Sequence, residues 1–147
     1  MSNPSLPSWI LDHIALYERD PEAGHMWDSS ALGGPGVLPT LLLTTTGAKS
    51  GEPRKLPLIY GTHDGKHVII ASKGGAPSHP AWFVNLSANP QCEVQVASDK
   101  YTATARVVED DAERQAIWDM MVGVYSPYTD YQAATDRQIP VVVLERL

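Results

Sequence analysis

Residues 40–60 read TLLLTTTGAKSGEPRKLPLIY, and this segment specifies two β-strands joined by a turn. The first run, 40–46, is rich in β-forming residues and lies between a proline and a glycine, which commonly bound strands. The turn at 47–53 contains two glycines and a proline, and the second run, 54–60, follows it directly. We therefore expect a pair of neighbouring strands here, in a fold built mainly from β-structure.

Further strand signals lie downstream of this segment and bring the total to about six. Asp64-Gly65 is a strong hairpin signal, so we expect a third strand, 67–72, to return from it and pair with the second. Alternating runs at 93–97 and 101–108 and a last apolar run at 141–144 complete the set. Strands of this number joined by short turns predict a mostly antiparallel sheet curled into a barrel.

Helices are expected to flank this sheet, which makes the predicted fold class α+β. Ser8 is a candidate N-cap for a first helix that ends near Asp20, before a proline. Residues 22–39 are rich in glycine and are expected to form a loop. Further helices are expected at 80–88, from Asp110-Asp111 onward, and at 128–137.

Length and composition fit one domain. The chain has 147 residues, of which 43% are hydrophobic, enough for a core. We expect a single domain over 1–147, in which 1–36 is an N-terminal extension made of a helix and a loop. Neither a membrane-spanning run nor a signal peptide is recognisable, so a cytoplasmic protein is expected. Cys92, the single cysteine, lies in an alternating run and is interpreted as a strand residue rather than a catalytic thiol.

The charge of the chain is unevenly distributed. The formal net charge is −6, which argues against general binding of nucleic acid. Residues 49–73 nevertheless carry a net charge of +3, so the remainder carries −9. A basic island on an acidic protein suits a small anionic ligand, because a pocket focuses the field. A solvated hairpin that happens to be basic explains the charge equally well.

Several familiar catalytic patterns are missing from the sequence. It has no Gly-x-Ser-x-Gly nucleophile elbow and no His-Glu-x-x-His zinc motif. Glu52-Pro53 stands where a phosphate loop needs lysine and serine or threonine, and no dinucleotide-binding glycine motif occurs. His63 and His67 flank the hairpin turn, where we expect them on opposite arms in solvent, so no metal site is expected.

A basic turn is the first remaining candidate for ligand binding. It carries Lys49, Ser50, Arg54 and Lys55, and its backbone N–H groups and cations suit a phosphate or a carboxylate. The segment Ser-Lys-Gly-Gly at 72–75 ends the predicted third strand. We expect the two basic loops to lie near one another at a rim of the barrel.

Aromatic residues are candidates for binding a planar ring. Trp82 and Phe83 lie on a predicted helix, and Tyr125, Tyr128 and Tyr131 recur every three residues, which would place them on one helix face. Ordinary core packing is the alternative for all five, and it is a fair explanation for the first two. It is a weaker explanation for three tyrosines clustered beside a proline.

Four ordered segments resemble the deazaflavin (F420)-dependent nitroreductase family. They cover the chain from about residue 40 to its end, and four motifs at matching spacing are much more specific than any one of them. The segments are 43–54 (LTTTGAKSGEPR), 71–76 (ASKGGA), 80–86 with 88–90 (PAWFVNL and ANP), and 131–132 with 135–140 (YQ and TDRQIP). The resemblance implies a split β-barrel related to flavin-reductase-like barrels, with coenzyme F420 as cofactor.

The resemblance also implies roles for the candidate residues. The phosphate and polyglutamate tail of F420 would contact Ala48, Lys49, Ser50, Arg54 and Lys55. The deazaflavin ring would be lined by Leu56, Pro57, Leu58, Ile59, Ala71, Ser72 and Lys73, and its far side closed by Ala81, Trp82, Phe83, Val84 and Asn85. The acceptor would bind against Ser72, Tyr125, Tyr128 and Tyr131.

Two positions depart from the family pattern. Ala48 replaces a frequent arginine, which predicts weaker binding of the cofactor tail. Ile59 stands where some nitroreducing members carry a tyrosine, so reduction of nitro compounds is not implied for this chain.

The implied function is hydride transfer from reduced F420 to an organic acceptor such as a quinone, a nitroaromatic or an activated unsaturated compound. The cofactor supplies the hydride chemistry, so no acid–base pair is required. Ser72 or a tyrosine hydroxyl is a candidate for orienting the acceptor and relaying a proton. Two alternatives stay open: an FMN-dependent oxidoreductase on a related barrel, and a non-catalytic F420 carrier.

The N-terminal helix suggests one further hypothesis, a weak association with the inner face of the membrane. Leu6, Trp9, Ile10 and Ile14 give this helix an apolar edge. A single cation in the first 48 residues makes attraction to anionic lipid weak. The sequence leaves the oligomeric state and the identity of the acceptor open.

Overall fold

The computed structural model describes residues 6–147, which form a curled antiparallel β-sheet with helices packed around it. The strands are β1 (Met26–Asp28), β2 (Val37–Thr46), β3 (Pro53–Ile59), β4 (Gly61–His63), β5 (Lys66–Ile70), β6 (Gln91–Val96), β7 (Asp99–Val107) and β8 (Val141–Arg146). The helices are α1 (Ser8–Arg19), α2 (Pro21–His25), α3 (Ala81–Ala88), α4 (Asp111–Val124) and α5 (Tyr128–Ala133). The α+β fold class is confirmed, with eight strands in the described residues rather than about six.

The segment 40–60 forms the strand pair that its composition predicts. β2 and β3 pair in continuous antiparallel register, from Thr40 opposite Ile59 to Thr46 opposite Pro53. The other edge of β2 pairs with β6, and the sheet continues in the order β6, β7, β8, β5, β4. Every pair among the described strands is antiparallel, so the sheet has the curled, barrel-like form that was expected.

The pairing of the predicted third strand differs from the expectation. The Asp64-Gly65 hairpin joins β4 to β5, whereas β3 pairs with β2 and with no other strand of the described chain. Tyr60 separates β3 from β4; its side chain is buried, and its hydroxyl lies 2.7 Å from His25 Nε2. The chain therefore changes its pairing partner at Tyr60, from β2 to β5. Strand propensity does not reveal such a change, since residues on both sides of it suit strands equally well.

The N-terminal segment contains more regular structure than its glycine content suggests. Ser8 is the first residue of α1 but makes no capping bond, and Pro7 occupies the N-cap position, so the predicted cap was wrong. The expected loop 22–39 contains most of α2, the whole of β1 and the start of β2. Asp20 caps α2 by accepting a hydrogen bond of 3.3 Å from the N–H of Ala23. These elements pack the N-terminal segment onto the barrel.

Two hydrophobic clusters cover the two faces of β5 and β8. Ile69 and Leu144 belong to one cluster, here called the barrel cluster, and Val68 and Val143 belong to a second, which includes residues of α4 and α5. Successive residues of both strands are therefore buried, which explains why their sequences are continuously apolar. Cys92 lies on β6 and is buried in the barrel cluster, which confirms that it is a strand residue, and burial raises the pKa of its thiol to about 11.

Tyr17 fastens α1 to the sheet. Its side chain is fully buried, and its hydroxyl lies 2.9 Å from the carbonyl oxygen of Thr40 and 3.1 Å from that of Gln95. The same hydroxyl accepts a hydrogen bond of 2.8 Å from the backbone N–H of Ala97. One phenol thus satisfies backbone groups on β2 and at the end of β6, and burial raises its pKa to about 12.

Replacing Tyr17 by phenylalanine is expected to lower the free energy of unfolding by about 2–3 kcal/mol, because buried backbone groups lose their partner. The protonated phenol makes these bonds, so their contribution is complete below pH 10.0 and is lost as the pH rises towards about 12. Urea unfolding at about pH 8 and about pH 11 measures both effects. Tyr60→Phe is the matched control, since it removes one hydrogen bond and should cost only about 1 kcal/mol. Equal costs for the two variants would contradict the role given to Tyr17.

Candidate active site

A cavity of about 1050 Å³ lies between the barrel and α1. Its walls come from α1, β1, β3, the turn between β2 and β3, the loop after β5, α3, and the junction of α4 and α5. All but two of the residues proposed from the sequence to contact cofactor or acceptor line this one space. They are Ala48, Lys49, Ser50, Arg54, Lys55, Leu56, Pro57, Leu58, Ile59, Ser72, Lys73, Ala81, Trp82, Val84, Asn85, Tyr125, Tyr128 and Tyr131.

The turn between β2 and β3, residues 47–52, is held in one shape by its own backbone. The N–H of Gly47 donates to the Glu52 carbonyl at 2.8 Å, and the N–H of Gly51 donates to the Gly47 carbonyl at 2.9 Å. A side chain at position 47 would meet Ser50 Oγ at 2.6 Å, and Gly51 has a φ of +71°, so both positions favour glycine. The turn is therefore a preformed support for the side chains that it carries.

Asn85 on α3 anchors this turn to the barrel. Its Oδ1 accepts a hydrogen bond of 2.9 Å from the backbone N–H of Ala48, and its Nδ2 donates to Thr45 Oγ1 at 3.0 Å. The side chain is buried, so both bonds are protected from water. Asn85 also lines the cavity, so the residue that holds the turn is itself part of the wall.

The basic residues of the 49–73 segment do not form one patch. Four of them line the cavity, and one of these four, Lys55, is neutralised by Glu18 of α1. Lys66 lies outside the cavity lining and pairs with Glu145 at 3.0 Å. The remaining cations at the cavity make no salt bridge with the described residues; they are Lys49, Arg54 and Lys73. Uncompensated positive charge at a cavity attracts anionic ligands.

The loop 71–76 contributes a second polar edge to the cavity. Ser72 has a right-handed helical backbone, whereas Lys73 and Gly74 have left-handed φ values of +48° and +63°. Such an alternation turns successive N–H groups towards one side and creates a concave donor surface for an anion. The loop therefore combines backbone donors with the charge of Lys73.

β3 and α3 give the cavity an apolar wall. Leu56 and Leu58 of β3 line it and pack against the barrel cluster, of which the lining residue Trp82 of α3 is a buried member. Val84 adds an exposed apolar side chain to the same lining. Apolar walls with a few polar groups at the edges are typical of sites that bind a flat ring.

Tyr125, Tyr128 and Tyr131 come together at the junction of α4 and α5. They do not share one helix, as their spacing suggested, because Tyr125 is the C-cap of α4 and the other two lie on α5. Tyr125 Oη lies 2.8 Å from Tyr131 Oη, and the ring of Tyr128 meets the ring of Tyr125 edge-on at 4.9 Å. Burial raises the pKa values of Tyr125 and Tyr128, so both phenols stay protonated at neutral pH.

The hydroxyl of Tyr128 makes no hydrogen bond to another described residue, whereas Tyr125 and Tyr131 bond to each other. Tyr128 is almost fully buried, and it lines the cavity.

Two residues proposed from the sequence lie outside the cavity lining. Ala71 is fully buried in the barrel cluster, and its carbonyl oxygen accepts a hydrogen bond of 3.3 Å from Arg137. Phe83 packs against the barrel cluster and beside His79, with ring centroids 4.7 Å apart. Both side chains serve the packing of the protein around the site.

One of the two histidines near the hairpin, His67, differs from the expectation. His67 is half-buried, with Nδ1 2.6 Å from Tyr101 Oη and its ring edge-on against Tyr60, and burial lowers its pKa. His63 is partly exposed, 3.5 Å from Asp64. The prediction that both imidazoles lie in solvent was therefore wrong for His67, whose ring packs into the core. No group of three or more side chains suited to a metal occurs among the described residues.

α1 and β1 supply a wall of the cavity that sequence reasoning missed. Leu6, Trp9, Ile10 and His13 line it from the first helix, or from just before it, and Trp27 lines it from β1. Trp9 stacks on Trp27 with ring centroids 5.9 Å apart and planes 12° apart. The apolar spacing of α1 signalled a packed face, but it contained no information on what that face covers.

Comparison with known protein families identifies the chain. The model of the F420H(2)-dependent quinone reductase family matches residues 22–146. The chain belongs to this family. One relative, an F420H(2)-dependent quinone reductase of Mycobacterium tuberculosis, is 43% identical over 114 residues, which is 76% of this chain and 76% of the relative.

Two solved structures show the fold of this member of the F420H(2)-dependent quinone reductase family. One is the F420-H2 dependent reductase FDR-A, which is 46% identical, with a TM-score of 0.66 over 72% of this chain and 93% of the other. The second, also 46% identical, is described as a domain-swapped dimer, with a TM-score of 0.67 over 72% of this chain and 79% of the other. The curled sheet is therefore the split barrel that the sequence resemblance implied.

The cavity of this quinone reductase family member is suited to F420. Its cationic edges match an anionic tail, and its apolar wall matches a planar ring. One group within the lining is the protonated phenol of Tyr128, whose hydroxyl makes no hydrogen bond to another described residue. The residues present therefore fit the cofactor.

Proposed function

We propose that this chain binds reduced F420 in the cavity and transfers a hydride from it to a quinone. The observation that carries the proposal is the presence, around one cavity, of cations that form no salt bridge with the described residues, an apolar wall and a protonated phenol. Membership of the F420H(2)-dependent quinone reductase family and 43% identity to a named quinone reductase support the same cofactor and acceptor.

The chain's own residues bind, orient and shield the reactants. When bound, reduced F420 supplies a hydride from C5 of its deazaflavin ring. Lys49, Arg54 and Lys73 would hold the phosphate and carboxylate groups of its tail through charge-assisted bonds. The apolar wall of β3 and α3 would hold the ring, and α1 would cover the site and limit the access of water.

The tyrosine cluster would serve the acceptor. A quinone that receives a hydride develops negative charge on an oxygen, and a protonated phenol close to that oxygen stabilises the charge. Tyr128 is suited to this role because burial raises its pKa and keeps its hydroxyl protonated. Ser72 lines the same cavity and provides a second hydroxyl.

Ile59 provides no hydrogen bond that would favour nitro compounds as acceptors in this proposal. It lines the cavity on β3, where it adds apolar surface and no hydrogen-bond donor. A site built to hydrogen-bond a polar group discriminates strongly against ligands that lack it, but an apolar position gives no such preference. We therefore expect this position to give nitroaromatics no advantage over quinones.

Fluorescence titration of the purified protein with oxidised F420, with FMN in parallel, is the experiment that tests the cofactor. Micromolar or tighter binding of F420 with weak binding of FMN supports the proposal, and a preference for FMN overturns it. An assay of F420H2 oxidation by a water-soluble quinone then separates an enzyme from an F420 carrier. A carrier would bind the cofactor without accelerating its oxidation.

Replacing Ala48 by arginine is expected to tighten F420 binding about fivefold, since a modest gain follows from adding an exposed cation beside others. Ala48 is exposed in the cavity lining, and its backbone N–H, not its side chain, bonds to Asn85. The gain should shrink as salt is raised, because screening weakens exposed charges. Ala48→Gln is the matched control, being long and polar but uncharged. An equal gain in that variant would contradict an electrostatic cause.

The apolar edge of α1 is better explained by the cavity than by a lipid surface. Leu6, Trp9 and Ile10 all line the cavity, so contact with a ligand accounts for their character without a membrane. No helix in residues 6–147 is long and apolar enough to cross a bilayer.

A further inference from the structure

We propose that Arg137 is a positioning residue for the reaction. It holds the loop 71–76 and thereby sets the place of Ser72 and Lys73 relative to the tyrosine cluster. This inference rests on the proposed function of the cavity. Arg137 itself is absent from the cavity lining, so it acts through the loop rather than by touching a ligand.

The guanidinium of Arg137 binds both ends of the loop 71–76. Its Nε donates to the Ala76 carbonyl at 2.8 Å, its Nη2 to the Ser72 carbonyl at 2.8 Å, and its Nη1 to the Ala71 carbonyl at 3.3 Å. Three carbonyls from one loop converge on a single planar group with donors fixed in a fork. The compact ammonium of lysine cannot reproduce that arrangement.

The loop needs this external support because its conformation is strained. Lys73, a residue with a side chain, has a left-handed φ of +48°, and such a backbone costs free energy that the surroundings must offset. Within the loop, two backbone bonds close the turn: Gly75 N–H to the Ser72 carbonyl at 3.0 Å, and Ala76 N–H to the Lys73 carbonyl at 3.1 Å. Arg137 adds three hydrogen bonds to the two that the loop makes within its own backbone.

Further contacts tie the loop to α5, the helix that carries Tyr128 and Tyr131. A side chain at Gly75 would lie 2.7 Å from the carbonyl oxygen of Tyr131, so the loop packs directly on the backbone of α5. Gln132 of α5 donates from Nε2 to the Arg137 carbonyl at 2.8 Å and accepts at Oε1 from the N–H of Ile139 at 3.0 Å. Arg137 is therefore bonded both to the loop and to α5, the helix that carries Tyr128 and Tyr131.

The environment of Arg137 supports a positioning role over an electrostatic one. Among the described residues it forms no salt bridge, and its donors meet backbone carbonyls and Nδ1 of His79 at 3.2 Å. These hydrogen bonds depend on the planar shape of the guanidinium, and its positive charge faces carbonyl oxygens rather than a carboxylate. A variant that keeps the charge but loses the fork should therefore behave like one that loses both.

The test compares three variants of the full chain: Arg137→Ala, Arg137→Lys and Arg114→Ala. Arg114 is a matched control, because it also donates to a backbone carbonyl, that of Ile139 at 2.7 Å, but makes no bond to the loop. We expect kcat/KM with F420H2 and a soluble quinone to fall about 30-fold in both Arg137 variants, since small displacements of reacting groups are costly. Guanidinium at millimolar concentration should restore much of the activity of Arg137→Ala and none in Arg137→Lys. Arg114→Ala should keep near wild-type activity.

Hydrogen–deuterium exchange provides a readout that needs no cofactor. Amides in 71–76 should exchange at least tenfold faster in both Arg137 variants than in the wild type or Arg114→Ala, because the loop opens locally when its support is lost. Wild-type kcat/KM or unchanged exchange in the Arg137 variants would overturn the inference. So would an equal loss of activity in Arg114→Ala, or failure of guanidinium to rescue a folded Arg137→Ala. Failure of the wild type to bind F420 would instead overturn the proposed function, and exchange would still decide whether Arg137 holds the loop.

Discussion

The Arg54→Gln variant is expected to bind F420 about 50-fold more weakly than the wild-type protein, because a charge-assisted hydrogen bond to an anionic oxygen is lost. Arg54 is partly buried in the cavity lining and makes no salt bridge with the described residues. Its Nη2 lies 3.4 Å from Ser50 Oγ, so the side chain is already directed along the turn. Glutamine keeps much of the length and polarity while removing the charge. Fluorescence titration with oxidised F420 measures the change in Kd.

Lys66→Gln is the matched control for Arg54→Gln. Lys66 belongs to the same basic segment, but it pairs with Glu145 and lies outside the cavity lining, so the same change of charge should leave the Kd within about twofold. A deazaflavin that lacks the phosphate and the glutamates locates the effect, because it should bind equally to wild type and to Arg54→Gln. Similar weakening in both variants, or weakening that persists with the tail-less deazaflavin, would contradict a direct role of Arg54 at the tail.

The parts of the fold that the sequence predicts well are those with local causes. Residues 40–60 pair as expected because two β-forming runs are joined by a turn whose glycines are required, Gly47 by the approach of Ser50 and Gly51 by its positive φ. α4 starts where an aspartate can cap it, and Asp110 accepts from the N–H of Glu113 at 2.8 Å. Such features depend on residues within a few positions of each other, so a single sequence displays them.

The parts that the sequence does not predict depend on distant contacts. Tyr17 bonds to backbone groups as far as 80 positions along the chain, and the loop carbonyls that accept from Arg137 lie 61 to 66 positions before it. Backbone carbonyls leave no signature in the identity of the residues that provide them. The TDRQIP motif could therefore mark 135–140 as characteristic of a family without revealing what Arg137 holds.

The candidate site shows the same division. Its cations and aromatic residues are recognisable because their chemistry is unusual for a surface, and the structure brings Lys49, Lys73 and Tyr128 around one cavity. The wall formed by Trp9 and Trp27 was missed because the packing of α1 against β3 is a tertiary contact between segments that are distant in the sequence. An apolar helix edge is compatible with a core, a lipid surface or a ligand, and only the fold chooses among them.

Tyr128→Phe is expected to lower kcat for quinone reduction about 100-fold with little change in the Kd of F420, since a hydrogen-bond donor or proton source at the reacting oxygen contributes on this order. The phenylalanine ring keeps the packing against Tyr125 and loses only the hydroxyl. Burial raises the pKa of Tyr128 above its ordinary value of 10.0, so the active, protonated form persists as the pH rises. Wild-type kcat should therefore show no loss from ionisation of this phenol between about pH 7 and pH 9. Steady-state oxidation of F420H2 by a soluble quinone, followed across that range, measures both properties.

Tyr101→Phe controls for the general effect of removing a buried hydroxyl. Tyr101 bonds to His67 at 2.6 Å and lies outside the cavity lining, so its loss should affect stability and leave kcat nearly unchanged. Ser72→Ala distinguishes between the two hydroxyls proposed to serve the acceptor. A loss of kcat confined to Ser72→Ala would transfer the donor role from Tyr128 to Ser72, and unchanged turnover in both variants with F420 bound would show that the acceptor receives its proton from elsewhere. All three variants remove only an oxygen atom. A loss of kcat that is specific to Tyr128→Phe would therefore identify the Tyr128 hydroxyl as the group that contacts the quinone.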